Sequence, residues 1–322
     1  MDAAFELLNR YQRGFPLSTR PFAEIAARAR LAERQVIDTY RALAASGVLG
    51  RIGVVFRPNT VGASTLAALS APKPELERVA AIVSAQPEVN HNYEREHRWN
   101  LWFVAAAQDE AGVAAALARI EHASGLQALR LPLVEEYHID LGFDLQDGSV
   151  PRSDGLAVRR AELTEAERRL VAALEQGLPL VAEPYEALAR AAGLTEAKVI
   201  ATLHAWLRIG TARRLGVIVR HRPLGYTANA MVVWDVPDEA VRAAGRRAAA
   251  HPAVTLCYRR ARAPGWPHNL YCMVHGRERA RVAQAVEQVS EAARLGGYRR
   301  EILFSARCFT QRGARYAATT DG

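Results

Sequence analysis

Two stretches of this chain crowd histidine, arginine, tyrosine and tryptophan at spacings that could do chemistry on an anion. The first is Val89-Asn90-His91-Asn92-Tyr93-Glu94-Arg95-Glu96-His97-Arg98-Trp99-Asn100-Leu101-Trp102-Phe103-Val104. The second opens Val254-Thr255-Leu256-Cys257-Tyr258-Arg259-Arg260 and, past Ala261 to Pro267, resumes His268-Asn269-Leu270-Tyr271-Cys272-Met273-Val274-His275-Gly276. Each has a Tyr-x-Arg step, a polar turn and an Asn-Leu-aromatic step opening an apolar strand: Tyr93, Arg95 and Asn100 against Tyr258, Arg260 and Asn269. The second turn is the longer. A hairpin built only for packing has little use for so many cations and aromatics at its mouth. Guanidinium forks pair bidentately with carboxylates, and aromatic faces stack on flat rings. Imidazole, titrating near pH 6.5, can deliver a proton. The combination describes a pocket for a large, flat, polyanionic ligand.

The elements that must position these residues come in two sets. Shifting the numbering by 163 lays Gly14-x-Pro16-Leu17 on Gly177-x-Pro179-Leu180, and Pro21, Leu31 and Glu33 on Pro184, Leu194 and Glu196. Gly47, Arg51, Gly53, Arg57 and Gly62 fall on Gly210, Arg214, Gly216, Arg220 and Gly225. The chain is a duplicated gene or a fusion of two paralogues. Each copy opens with helical periodicity (2–13 and 163–176), then a proline-started helix, a short turn, and a helix capped by Gly47 or Gly210. An Arg-x-Gly-Val strand pair follows, which predicts a winged helix-turn-helix. The continuation, strand-helix-strand-strand-helix-strand, is the ferredoxin-like βαββαβ order. The fold class is therefore α+β, with winged helix-turn-helix units at 1–62 and 163–225 and ferredoxin-like domains at 63–147 and 226–322. The Gly-Ser-Pro-rich 148–162 reads as a linker.

The 322 residues suit about two domains. No apolar run approaches the ~20 residues of a membrane span, and Met1-Asp2-Ala3-Ala4-Phe5-Glu6 lacks a signal-peptide layout, so the expected compartment is the cytoplasm. Cys257, Cys272 and Cys308 form no CxxC; buried thiols are expected rather than zinc ligands or a disulfide. The net charge of +8 favours an anionic partner.

A winged helix-turn-helix followed by a ferredoxin-like domain resembles the Lrp/AsnC family over essentially the whole chain, twice. More specifically, the two stretches above, with Trp266-Pro267-His268-Asn269-Leu270-Tyr271 and the tail Phe309-x-Gln311-Arg312-Gly313-Ala314-Arg315-Tyr316, resemble the siroheme decarboxylases, in particular the fused NirDL type. The resemblance implies removal of the acetate carboxylates on rings C and D of siroheme. The product would be didecarboxysiroheme, on the way to d1 haem or, by the alternative route, haem. It also implies further assembly of chains through the ferredoxin-like domains.

Siroheme carries eight carboxylates around an iron isobacteriochlorin. Arg95, Arg259, Arg260 and Arg262 are the expected clamps, with Arg98 and Arg152 behind them; Trp99 and Trp266 are expected to stack on the macrocycle. His91, His97 and His268 are the candidate proton donors, with Tyr93 and Tyr258 beside them in the catalytic set. Tyr93 and Tyr258 could equally be core aromatics, His268 a strand start, His275 a strand end and His138 a packed strand residue. Arg299-Arg300 reads as a solvated strand end. No organic cofactor is expected beyond the iron of the substrate, because the conjugated ring can itself absorb the charge. The two ferredoxin-like units are expected to pack as an intramolecular pseudo-dimer, sheets face to face around the pocket.

The competing readings are a DNA-binding regulator and a tetrapyrrole carrier. The first copy's second helix offers Glu33, Arg34, Gln35, Asp38, Thr39 and Arg41, whose charges cancel; the second copy's offers Thr195, Glu196, Lys198, Thr202 and His204. A reader of base edges should be net basic there, so DNA is not the expected partner.

Overall fold

The computed structural model describes residues 3–139, 142, 145 and 162–316. The expected linker, Arg152 included, lies outside these apart from Glu162. The first copy gives α1 (Ala3–Arg10), α2 (Pro21–Ala29), α3 (Glu33–Ala45), β1 (Leu49–Phe56), β2 (Ala63–Leu69), α4 (Leu76–Ala85), β3 (Val89–Arg95), β4 (Leu101–Ala107), α5 (Glu110–Ser124) and β5 (Leu129–Ile139). The second gives α6 (Glu165–Glu175), α7 (Pro184–Ala192), α8 (Glu196–Arg208), β6 (Ala212–Val219), β7 (Ala228–Trp234), α9 (Asp238–Ala249), β8 (Val254–Arg260), β9 (Leu270–Gly276), α10 (Arg279–Ala292) and β10 (Arg300–Gln311). The chain divides into two compact units, each drawing on both copies. One comprises 3–62, 162–224 and 315–316; the other comprises 63–139, 142, 145 and 225–314.

In the helical unit, Pro21 and Pro184 start α2 and α7, where a missing N–H costs nothing. Gly47 and Gly210 stand just past the following helices at φ +76° and +79°. The expectation of a wing made by two strands inside each copy is corrected: each copy supplies one strand, and β1 pairs antiparallel with β6 about Gly53 opposite Gly216. A Cβ at Gly216 would lie 2.2 Å from the carbonyl oxygen of Gln12, so this crossing admits only glycine.

In the other unit the sheets of the two copies do not stack face to face. Their edges pair instead, closing an eight-stranded barrel in the order β10-β3-β4-β2-β5-β8-β9-β7. Each copy's last strand reaches the other copy: β5 pairs with β8, and β10 with β3. Closure leaves no strand edge bare. Side chains then alternate. Leu101 and Phe103 face outward to the core under α4 and α5, while Trp102 points into the barrel; Leu270, Cys272 and Val274 pack under α9 and α10, while Tyr271 and Met273 point in. Tyr137 of β5 joins the second copy's helical core and Phe309 of β10 joins the first's. The barrel's interior is a packed core of Leu66, Leu131, Leu303, Tyr258, Tyr271, Trp102 and their neighbours. A ligand therefore has to be held at the barrel's end.

Candidate active site

The two asparagines of the repeated motif set the geometry of that end. Asn100 accepts from the Ala71 backbone N–H (2.9 Å) and donates to the Ala71 carbonyl (2.8 Å). Asn269 does the same at Val236, at 3.0 and 2.9 Å. Each clamps the chain leaving β2 or β7, and so fixes where its hairpin turn emerges. The two turns meet: Arg98 donates to the carbonyl of Gly265 at 2.8 Å.

Between them lies a cavity of about 450 Å³ lined by Arg98, Arg262, Trp266, His268, Arg299 and Glu301, among others. Trp266 is 1% exposed, its ring set against His97 (centroids 5.4 Å), His268 (4.8 Å) and Trp102 (5.2 Å), its indole N–H donating to the Tyr271 hydroxyl at 2.7 Å. Glu301, at the start of β10, lies between imidazoles from both copies. Its Oε2 is 2.7 Å from Nε2 of His97, and its Oε1 is 3.3 Å from Nε2 of His268 and from Arg299. Burial lowers the pKa of His97 and of His268, and the nearby carboxylate only partly offsets it. Burial alone would raise the carboxyl of Glu301, but His268, His97 and Arg299 outweigh it and hold it below the usual range. The group is thus a carboxylate between two largely neutral imidazoles.

Arg262 reaches the cavity already engaged, by Asp235 (2.9 Å) and Asp238 (2.8 Å), and donates to the Val236 carbonyl at 2.7 Å. Arg259 pairs with the same Asp238 at 2.8 Å. Trp99 stands at the same end, its backbone N–H donating to Nδ1 of His97 at 3.0 Å.

Five expected site residues, Arg95, Arg260, Tyr93, Tyr258 and His91, are not among those lining the cavity. Arg95 and Arg260 do not stand open at the hairpin mouths; they are 7% and 9% exposed, turned into the barrel, and donate to main-chain carbonyls of Leu303 (3.0 Å) and Leu131 (2.7 Å). Burial brings the guanidinium of Arg95 down to about 10. The reason is register: Arg95 follows Tyr93, and Arg260 follows Tyr258, by two residues on an inward-facing strand row. Tyr258 is a barrel-core residue stacked on Tyr271 (5.6 Å, 19°) under the guanidinium of Arg260 (4.5 Å); Arg95 lies over Tyr93 at 5.9 Å. His91 does not join His97. It sits four residues before Arg95 along β3, about 13 Å at the strand rise, its ring parallel to that of Tyr93 (6.3 Å, 17°) and its Nδ1 2.5 Å from Oδ1 of Asn90. His138 is a buried strand residue, and His275, near the end of β9, meets the Thr255 hydroxyl at 2.8 Å. Cys257 and Cys272 are buried free thiols facing each other, Sγ to Sγ 3.4 Å.

Glu301 was not singled out by the sequence, and Arg299, expected as part of a solvated strand end, lines the cavity. The signal for Glu301 lies in the pairing register. Leu129 of β5 sits opposite Ala68, and Glu301 of β10 opposite Val233, the matching positions of β2 and β7. A carboxylate stands where the other copy has leucine.

Comparison with known proteins identifies both units. The model of an AsnC-like ligand binding domain matches residues 61–138 and 223–310, and that of a siroheme decarboxylase NirDL-like HTH domain matches 5–49 and 167–213. The chain is 47% identical over 320 residues to a siroheme decarboxylase NirDL subunit of Paracoccus denitrificans, covering 98% of each. It is 31% identical over 315 residues to a siroheme decarboxylase of Hydrogenobacter thermophilus, covering 97% of this chain and 94% of that one. A crystal structure of the siroheme decarboxylase NirDL in co-complex with an iron-uroporphyrin III analogue superposes with a TM-score of 0.69 at 27% identity, covering 98% of this chain and 93% of the other. This chain belongs to the siroheme decarboxylase NirDL family.

Proposed function

We propose that this chain is a siroheme decarboxylase, a carboxy-lyase that converts the acetate groups on rings C and D of siroheme to methyl groups on the way to d1 haem or haem. The observation that carries the reading is the cavity at the barrel's end, where three arginines (Arg98, Arg262 and Arg299) and two imidazoles from different copies surround an indole face. The chemistry asks for these groups. The C–C bond to the carboxylate breaks, CO2 leaves, and the electron pair stays on the methylene carbon. The conjugated macrocycle delocalises that pair, so no organic cofactor is needed, and a proton then completes the methyl group. The arginines hold the carboxylates that are not reacting, Trp266 and Trp99 exclude water from the one that is, and His268 supplies the proton.

In this reading the two copies work as an intramolecular pseudo-dimer, with further assembly of chains through the ferredoxin-like domains, and the enzyme acts in the cytoplasm; among the described residues no helix is long and apolar enough to cross a membrane. A regulator reading gains nothing from α3, where Arg34 and Arg41 both pair with Asp38 and Glu33 pairs with Arg20. Anaerobic incubation with siroheme, followed by product mass, is the test. Loss of two CO2 per macrocycle is expected; siroheme recovered bound but unchanged would make the chain a carrier instead.

A further inference from the structure

We infer that Glu301 is the positioning residue of this site, tying the imidazole of His97 from the first copy to that of His268 from the second and deciding which ring nitrogen is left for the substrate. The role rests on the decarboxylase reading above.

Their contacts and burial assign the two rings different jobs. The backbone N–H of Trp99 donates to Nδ1 of His97 at 3.0 Å, so a neutral ring carries its proton on Nε2, which lies 2.7 Å from Oε2 of Glu301. Nδ1 of His97 is thereby spent on the main chain, and its Nε2 faces the carboxylate at ion-pair distance. His268 differs. It is 0% exposed, its Nε2 lies in ion-pair range of Oε1 of Glu301 at 3.3 Å, and neither ring nitrogen has a well-directed hydrogen-bond partner among the described residues. A wholly buried imidazole that lines a cavity with its ring nitrogens unsatisfied is placed to exchange a proton with what enters that cavity. Glu301 keeps its Nε2 turned to the carboxylate, as the third group does in a nucleophile-base-orienter constellation.

The arrangement occurs once. The residue before the clamping asparagine is His268 in the second copy and Trp99 in the first, and the register partner of Glu301 is Leu129. The duplicated scaffold thus holds an unduplicated proton-delivery group. The charged groups that set its titration are Arg299 and Asp235 on the His268 side and Arg98 on the His97 side.

The test is Glu301→Gln, which keeps shape and removes charge, alongside Glu301→Leu, which installs the first copy's residue. Histidine NMR titration of the ligand-free protein should show His97 and His268 each falling by roughly one pH unit in Glu301→Gln, because the carboxylate that favours their charged forms is gone. With siroheme, kcat should fall roughly tenfold to hundredfold with KM within threefold. The alkaline limb of the kcat profile should move to lower pH by the amount the titration moved. Titrations and pH profile that match those of the unchanged enzyme overturn the role while leaving the decarboxylase reading intact. An unsubstituted protein that binds siroheme and releases no CO2 overturns both, and Glu301→Leu with full turnover overturns the role alone.

Discussion

Asn100 and Asn269 make the same pair of hydrogen bonds, each to the N–H and carbonyl of one residue just beyond a barrel strand. Arg95 and Arg260 are likewise reciprocal, each buried and each donating to a carbonyl in the other copy's last strand. The residues that recur in both halves of the motif are therefore the ones that hold the barrel closed and aim its turns. Trp266, His268 and Glu301, which line the cavity, and His97 beside them have no counterpart of their own kind in the other copy.

The asparagine pair can be tested as structure. Asn269 is 1% exposed. Replacing it with alanine strands the N–H of Val236, whose carbonyl keeps the bond from Arg262, at about 1–3 kcal/mol for a buried group left without a partner. Asn269→Ala should lower the urea midpoint clearly, and Asn100→Ala, at a half-buried turn, by less. Equal and negligible shifts in the two variants would remove the clamp from this account.

The three histidines named from sequence should separate kinetically. General acid catalysis contributes about 10²–10⁴-fold, so His268→Ala should lose at least about a hundredfold in kcat. His91→Ala, on the far side of Arg95 along β3, should stay within about threefold. Product mass after single turnover, with bound siroheme quantified by absorbance, separates lost chemistry from lost binding. A dead His91→Ala that still binds siroheme would move the proton donor to the other end of β3.

Much of this architecture was legible. Helix starts at Pro21 and Pro184, caps at Gly47 and Gly210 and the βαββαβ order follow from local chemistry, and local chemistry is what a sequence displays. Two features were not. Strand pairing between copies is long-range: nothing near Leu49–Phe56 or Leu129–Ile139 says that its partner lies in the other copy. Side-chain direction was the other. Arg95 and Arg260 carry the right chemistry for a carboxylate clamp, but the period of two along β3 and β8 turns them inward with Tyr93 and Tyr258. Glu301 was hidden for the opposite reason, as one carboxylate in a charged strand start, distinguished only once the register sets it against Leu129.

As a substrate clamp, Arg262 would have to exchange partners. Asp235 and Asp238 hold its guanidinium where a ligand carboxylate would otherwise sit. Arg262→Ala should weaken binding of iron uroporphyrin III about tenfold, in the range of a charge-assisted hydrogen bond of ~1.5–3 kcal/mol. Asp235→Asn should tighten it, because one competing carboxylate is removed. Raising the salt concentration should shrink both effects. Titrations in which Asp235→Asn and Arg262→Ala weaken binding alike would mean that the aspartates position Arg262 instead of competing for it.

The helical unit carries its own pH dependence. His221 is 8% exposed, and burial, with the nearby charge of Arg214, brings its pKa down to about 4 from an ordinary value of 6.5. As pH falls through about 6.5 the unfolded chain takes up this proton and the folded one does not, so the folded state loses ground. The contribution is whole above that range, declines between pH 6.5 and 4, and levels off below, where both states are charged. At about 1.4 kcal/mol per pH unit the loss approaches roughly 3 kcal/mol. Melting curves followed by circular dichroism from pH 7.5 to 4.5 should show a falling Tm, and His221→Gln should flatten that decline while costing some stability at neutral pH. If the variant's Tm falls with pH as steeply as that of the unsubstituted chain, the acid sensitivity belongs to other groups.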